Sequence, residues 1–187
     1  VDRIQAEYAS WYEIFPRSAG RVEGQSGTFK DVEMRLPYIA GMGFDVLYFP
    51  PIHPIGLTKR KGKNNSLVAK AGEPGSPYAI GDEGGGHFGI HSELGTHADF
   101  ANLVKACSEY GIEIALDFAL NCSPNHSYLK EHPDWFYRRP DGSIKFAENP
   151  PKKYEDIYPL NFESEDRKSL WNEIRDIFLF WCKSGVR

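Results

Sequence analysis

Glu113-Ile114-Ala115-Leu116-Asp117-Phe118-Ala119-Leu120-Asn121-Cys122-Ser123-Pro124-Asn125-His126 is the stretch whose reading decides the fold. It opens on a nearly continuous apolar run, the pattern of a strand covered on both faces, and strands so covered belong to parallel sheets. The run then breaks abruptly into polar groups. A parallel strand of an α/β barrel delivers binding or catalytic side chains to its carboxyl rim in this way. Asp117 lies near the end of that run. A buried carboxylate is costly unless paired or hydrogen-bonded, so Asp117 either positions an arginine or a sugar hydroxyl or organises the rim as a structural group. Asn121, an uncharged donor and acceptor, suits a polyol hydroxyl, with loop capping as the alternative.

Upstream, residues 8–15 (YASWYEIF) read as a first strand, ending at Pro16-Arg17-Ser18. Asp31 is placed to cap a helix carrying Val32, Met34, Leu36, Ile39 and Ala40, which stops at Gly41 or Gly43. Residues 44–49 form a second strand, halted by Pro50-Pro51, and a long Gly-rich loop runs from 52 to 95. Thr96 caps a helix through Tyr110, with Phe100, Leu103, Val104 and Cys107 on one face and Gly111 as the stop. Residues 112–118 are the third strand. Ser164 is placed to cap a last helix in which Leu170, Ile174, Ile177, Phe178 and Trp181 recur at helical spacing. The order β, α, β, α, β, α without a hairpin signal implies parallel strands joined by right-handed crossovers.

A doubly wound sheet and a (β/α) barrel both satisfy that order. No G-x-G-x-x-G follows any strand, and Gly84-Gly85-Gly86 lies deep in a loop. Long loops after strands two and three favour a barrel rim. The fold class expected is therefore α/β, a partial (β/α)8 TIM barrel of about three βα units. Its divisions are residues 1–126 for the first three strands and two helices, 127–163 for a reduced inserted loop domain, and 164–187 for the third helix. Gly185-Val186-Arg187 reads as the beginning of another strand, and the missing units are expected beyond it.

The length is about one domain's worth, and 41% apolar residues supply a substantial core. A net charge of -4 gives no general attraction to nucleic acid or to an anionic membrane. Cys107, Cys122 and Cys182 form no Cys-x-x-Cys pair, so neither a disulfide framework nor a zinc site is indicated. No apolar run approaches the roughly 20 residues that span a bilayer, and Val1-Asp2-Arg3 does not open a secretory signal. A cytoplasmic setting is expected.

Two loops carry chemistry. In Glu148-Asn149-Pro150-Pro151-Lys152-Lys153-Tyr154-Glu155-Asp156-Ile157-Tyr158-Pro159-Leu160-Asn161-Phe162, prolines stiffen a segment holding two lysines and two tyrosines. Such cations, amides and phenols bind a phosphoryl group, while aromatic faces suit the C–H faces of a sugar. Arg60-Lys61-Gly62-Lys63-Asn64-Asn65 is a second basic loop, and the two can converge on one anion; each taken alone is equally a solvated surface loop. His87 and His91 are four apart without a helical pattern, so no metal site is expected. There is no G-x-S-x-G elbow and no Cys–His arrangement for nucleophilic chemistry.

Tyr12-Glu13-Ile14-Phe15-Pro16-Arg17-Ser18, Gly75-Ser76-Pro77-Tyr78-Ala79-Ile80, Leu94-Gly95-Thr96 and Asp117-Phe118-Ala119-Leu120-Asn121 together resemble the first half of an α-amylase-type catalytic barrel. Phe49-Pro50-Pro51-Ile52-His53-Pro54-Ile55-Gly56, the basic loop at 60–65, Cys122-Ser123-Pro124 and the segment 148–162 resemble the α-1,4-glucan:maltose-1-phosphate maltosyltransferase subfamily. The resemblance extends over essentially the whole chain.

It implies a retaining transfer of maltosyl from α-maltose 1-phosphate to an α-1,4-glucan acceptor with release of phosphate. One carboxylate attacks the anomeric carbon and another serves as acid and base, about 5 to 5.5 Å apart. It further implies that Lys61, Asn149, Lys152 and Tyr154 face the phosphate, that Asn121 and Asp156 contact the donor, and that Tyr78 packs against the reacting sugar. Where the family carries glutamine this chain has Asn121, one methylene shorter, so that contact is water-mediated or lost. In calcium-dependent amylases this asparagine is a metal ligand; the subfamily is not calcium-dependent, and neither cofactor nor metal is expected. The nucleophile and the acid/base are expected beyond Arg187, leaving this stretch inactive by itself. A homodimeric parent protein and self-association of the isolated stretch are expected. An α-glucan hydrolase of the same barrel type and a non-catalytic carbohydrate-binding module are the alternatives.

Overall fold

A computed structural model describes residues 3–187. The chain folds as two compact units, residues 1–52, 90–117 and 180–187 in one and 53–89 and 118–179 in the other.

The first unit is built on three parallel strands. After a short helix α1 (Ile4–Glu7), β1 (Trp11–Glu13) leads through α2 (Phe29–Glu33) and α3 (Leu36–Gly41) to β2 (Val46–Phe49), and α4 (His97–Glu109) leads to β3 (Glu113–Leu116). The order β1-β2-β3 is sequential, with Leu47 opposite Tyr12 on one side and Ile114 on the other. Both α2 and α4 start on a capping box. The Thr96 hydroxyl accepts from the Asp99 N–H while the Asp99 carboxylate accepts from the Thr96 N–H, as the sequence predicts for Thr96.

At α2 the cap is Thr28, and Asp31 is its N3 partner instead of the cap itself. In both boxes the threonine hydrogen bonds hold the aspartate below the usual carboxylate range. Phe29, Leu36, Ile39, Leu47, Phe49, Phe100, Leu103 and Ile114 fill this core, with Phe100 edge-on to Phe29 at 5.4 Å and to Trp181 at 5.5 Å. Past the last helix, Val186 forms a parallel bridge with Ile114, so the chain's final residues do begin to pair beside β3.

In the second unit the Gly-rich loop is ordered by backbone bonds. Gly56 N–H donates to Ala79 O at 2.9 Å, Gly81 N–H to Pro54 O at 2.7 Å, and Ser123 N–H to Ile80 O at 2.7 Å. The elements that follow are β4 (Asn121–Cys122), α5 (Tyr128–Glu131), β5 (Ala147–Asn149), β6 (Lys152–Tyr154), β7 (Tyr158–Pro159) and α6 (Arg167–Lys183), of which the residues from Phe180 on count with the first unit. Contrary to the expectation of no hairpin, β5 and β6 pair antiparallel across Pro150-Pro151, and β4 pairs antiparallel with β7. Ser164 lies ahead of α6, its hydroxyl accepting from the Asp166 N–H at 3.1 Å, so it shapes the preceding turn and does not cap the helix. Cys122, Tyr128, Trp135, Phe136, Leu160, Leu170 and Ile174 form the core under these short strands.

Candidate functional site

The basic loop that carries Lys61 is fixed from both sides. The Arg60 guanidinium donates to Gly56 O at 2.8 Å and to Ile55 O at 2.6 Å, and Asn125 Oδ1 accepts from the N–H groups of Leu57 and Thr58 at 2.9 and 2.8 Å. Lys61 is thereby buried, 6% exposed, and its ammonium donates to Lys153 O at 3.1 Å. A buried cation is thus seated against the backbone of β6, one peptide from Lys152. Nearby, Lys59 and Glu155 form an exposed ion pair at 2.7 Å.

The hairpin presents the second set of predicted residues. Asn149 and Lys152 are partners across the turn, both exposed, and Ala147 is opposite Tyr154. Ile157 N–H donates to Tyr154 O and Ala147 N–H donates to Ile157 O, which folds the chain after β6 back onto the hairpin and turns Asp156 inward. Asp156 is 1% exposed, and neither carboxylate oxygen bonds another described residue. Burial raises its pKa above the usual aspartate value, with Lys61 partly opposing the shift.

Ala79, Ile55 and Ile157 pack together with Ala147 and Tyr154 against them, which brings the stretch that bears Tyr78 to the hairpin. Tyr78 itself is 38% exposed. Asn121 is half-buried and opposite Pro159, three residues past Asp156. Lys61, Asp156 and the hairpin residues therefore form one cluster, with Asn121 and Tyr78 on segments bonded or packed to it. Asp117 belongs to the other unit. Its N–H donates to Phe49 O at 2.8 Å, and burial together with the hydrogen-bonded Asp117 carboxylate pushes the Tyr48 hydroxyl up to about 12.

Two features escape a reading of the sequence. Arg60 and Asn125 hold the lysine loop through backbone carbonyls and N–H groups, and contacts to backbone leave no residue pattern. The second is a buried group of His87, Cys122 and His126, whose ligand-type atoms lie within 4.8 Å of one another. The sequence does not signal this grouping, because residues 35 positions apart converge only when Ser123 N–H bonds Ile80 O. Burial holds His87 down to about 4 and His126 and His53 to about 3, and it raises the Cys122 thiol.

Cations, an amide, phenols and a buried carboxylate lacking partners can together hold a phosphorylated polyol. The chain is 58% identical over its whole length to the α-1,4-glucan:maltose-1-phosphate maltosyltransferase of Methylacidiphilum infernorum, and 61% identical to that of Pseudomonas aeruginosa. In each case it spans 28% of the relative's length. Among solved structures it resembles an α-amylase from Lactobacillus plantarum, with a TM-score of 0.75 and 32% identity over 95% of this chain and 36% of that one. A maltogenic α-amylase from Thermotoga neapolitana matches with a TM-score of 0.73 and 26% identity, over 95% of this chain and 37% of that one. The α-amylase catalytic-domain profile matches residues 13–184, and the chain belongs to that family.

Proposed function

We propose that this chain is the donor-binding part of a retaining maltosyltransferase that moves maltosyl from α-maltose 1-phosphate to an α-1,4-glucan and releases phosphate, in cytoplasmic α-glucan synthesis. The observation that carries the reading is the buried Lys61 ammonium against the β6 backbone, with the unpartnered Asp156 carboxylate close enough to feel its charge. A leaving phosphate needs little protonation but does need cationic and hydrogen-bond stabilisation. Lys61, Lys152, Asn149 and Tyr154 supply it, Asp156 and Asn121 take sugar hydroxyls, and Tyr78 offers its ring to the reacting sugar. Asp117 acts on Tyr48 as a structural rim group.

The strands β1–β3 are the first three of a (β/α)8 barrel, residues 127–163 an inserted loop domain, and 164–187 the third barrel helix. The attacking and proton-transferring carboxylates belong to barrel units that follow in the longer relatives, and the working enzyme is a homodimer.

The likeness to solved α-amylases supports a second reading, an α-glucan hydrolase indifferent to phosphate. Calorimetric titration of the chain with α-maltose 1-phosphate and with maltose separates the two. The transferase reading expects the phosphorylated sugar to bind more tightly and Lys61→Ala to erase the difference. Equal affinity for both sugars in the parent chain overturns it.

A further inference from the structure

The second unit contains a group that the proposed sugar chemistry does not use. His87 comes from the Gly-rich loop, Cys122 from β4 and His126 from the turn that follows, and all three side chains are buried. It is the only such group of His, Cys and carboxylate side chains among the described residues. His87 Nε2 lies 3.0 Å from Ala119 O. A backbone carbonyl taking one ring N–H fixes the tautomer and leaves Nδ1 as the lone-pair nitrogen, the arrangement that orients metal-bound histidines. His126 Nε2 is buried with no hydrogen-bond partner among the described residues, an ordinarily unfavourable state for a polar atom. Gly81 and Gly86 flank the ring so closely that a Cβ at either would collide with it.

We infer that His87, Cys122 and His126 form a structural binding site for a borderline-soft divalent cation of the zinc class. Two imidazoles and one thiolate are the donor set such ions select over calcium or magnesium. Around a zinc ion, ligand atoms are about 3.5 Å apart given the usual bond lengths, so closing the group requires shifts of about 1 Å. Binding is ligand exchange without electron transfer. Imidazole lone pairs and the thiolate replace hydrating waters, and the thiol proton passes to solvent. The His126 ring proton moves from Nε2 to Nδ1, giving up the 3.2 Å contact from the Tyr128 N–H. The ion would tie the 81–89 loop to β4 directly behind Asn121, and the inference stands whether or not the unit binds a sugar phosphate.

The full chain carrying Cys182→Ser, which removes the exposed thiol, is loaded with Co2+ and separately with Zn2+, then passed through gel filtration. One retained metal ion per chain, a thiolate-to-cobalt charge-transfer band, and a higher unfolding temperature with Zn2+ are expected. Adding Cys122→Ser should abolish the band and weaken zinc retention about tenfold or more. No thiolate band in the Cys182→Ser chain overturns the inference, and that spectrum decides even if the Cys122→Ser variant fails to fold. A band that survives in a folded Cys122→Ser chain overturns it as well.

Discussion

Glu155 and Asp156 are adjacent acids with opposite fates. Glu155 reaches solvent and pairs with Lys59, while Asp156 is turned inward by the Ile157–Tyr154 backbone bond and finds no partner. The sequence cannot distinguish them, since the distinction is made by a turn whose geometry depends on the hairpin before it. The burial has a consequence for pH. A carboxyl whose pKa is raised on folding holds its proton more tightly in the native state, so its contribution to stability is present at low pH. It is lost as pH rises through the raised value.

Asp156→Asn removes the charge and keeps the shape. The variant is expected to be more stable than the parent at pH 7, because it has no charge to bury. The difference should vanish near and below the ordinary aspartate value of about 3.9. Urea unfolding at pH 7 and at low pH measures it, and a variant less stable than the parent at pH 7 would falsify the account. The same variant should bind α-maltose 1-phosphate more weakly, so that stability and affinity move in opposite directions.

Of the three helix caps read from the sequence only Thr96 holds, and the parallel order β1-β2-β3 is more legible than the short antiparallel pairings. Thr96-x-x-Asp99 is plain because the cap immediately precedes the periodic residues. Thr28-x-x-Asp31 is easily placed one turn late because Asp31 is itself a good capping residue. Thr28→Ala is expected to cost about 1 kcal/mol, and Thr28→Ser to restore most of it, by thermal or urea unfolding. The β5–β6 hairpin is hidden for a physical reason. Its turn is Pro150-Pro151, without the Asn-Gly or Asp-Gly chemistry that marks two-residue hairpins, and prolines ordinarily argue against pairing.

The lysine loop is recognisable in the sequence as basic but not as fixed, because the fixing group, Asn125, lies 64 residues away from Lys61. Asn125→Ala leaves the N–H groups of Leu57 and Thr58 without their acceptor. It should therefore loosen Lys61 and weaken binding of α-maltose 1-phosphate several-fold while leaving maltose affinity unchanged. Equal weakening toward both sugars would assign Asn125 to general folding of the unit.

Taken over its whole length, the chain buries two cores and still leaves large apolar groups in water. On α6, Trp171, Phe178 and Leu179 are 57%, 50% and 48% exposed, and in the other unit the edge strand β1 presents Trp11 at 54%. The periodicity of α6 is plain in the sequence, and Leu170, Ile174, Ile177 and Trp181 are indeed its buried residues. Phe178, which shares their spacing, is only half covered, by Phe118 at 4.5 Å. Helical spacing identifies which residues share a face, not how much of that face neighbouring elements cover. An unpaired strand edge and uncovered aromatic residues both favour association of copies. The isolated 187-residue chain is expected to self-associate with rising concentration, seen as a growing mean mass in light scattering. Leu179→Lys, which places a charge in the exposed strip of α6 away from the helix start, should lower that mass without lowering the unfolding temperature. A monodisperse monomer at every concentration would mean that the uncovered α6 residues are too scattered, and β1 too short, to nucleate contact between chains.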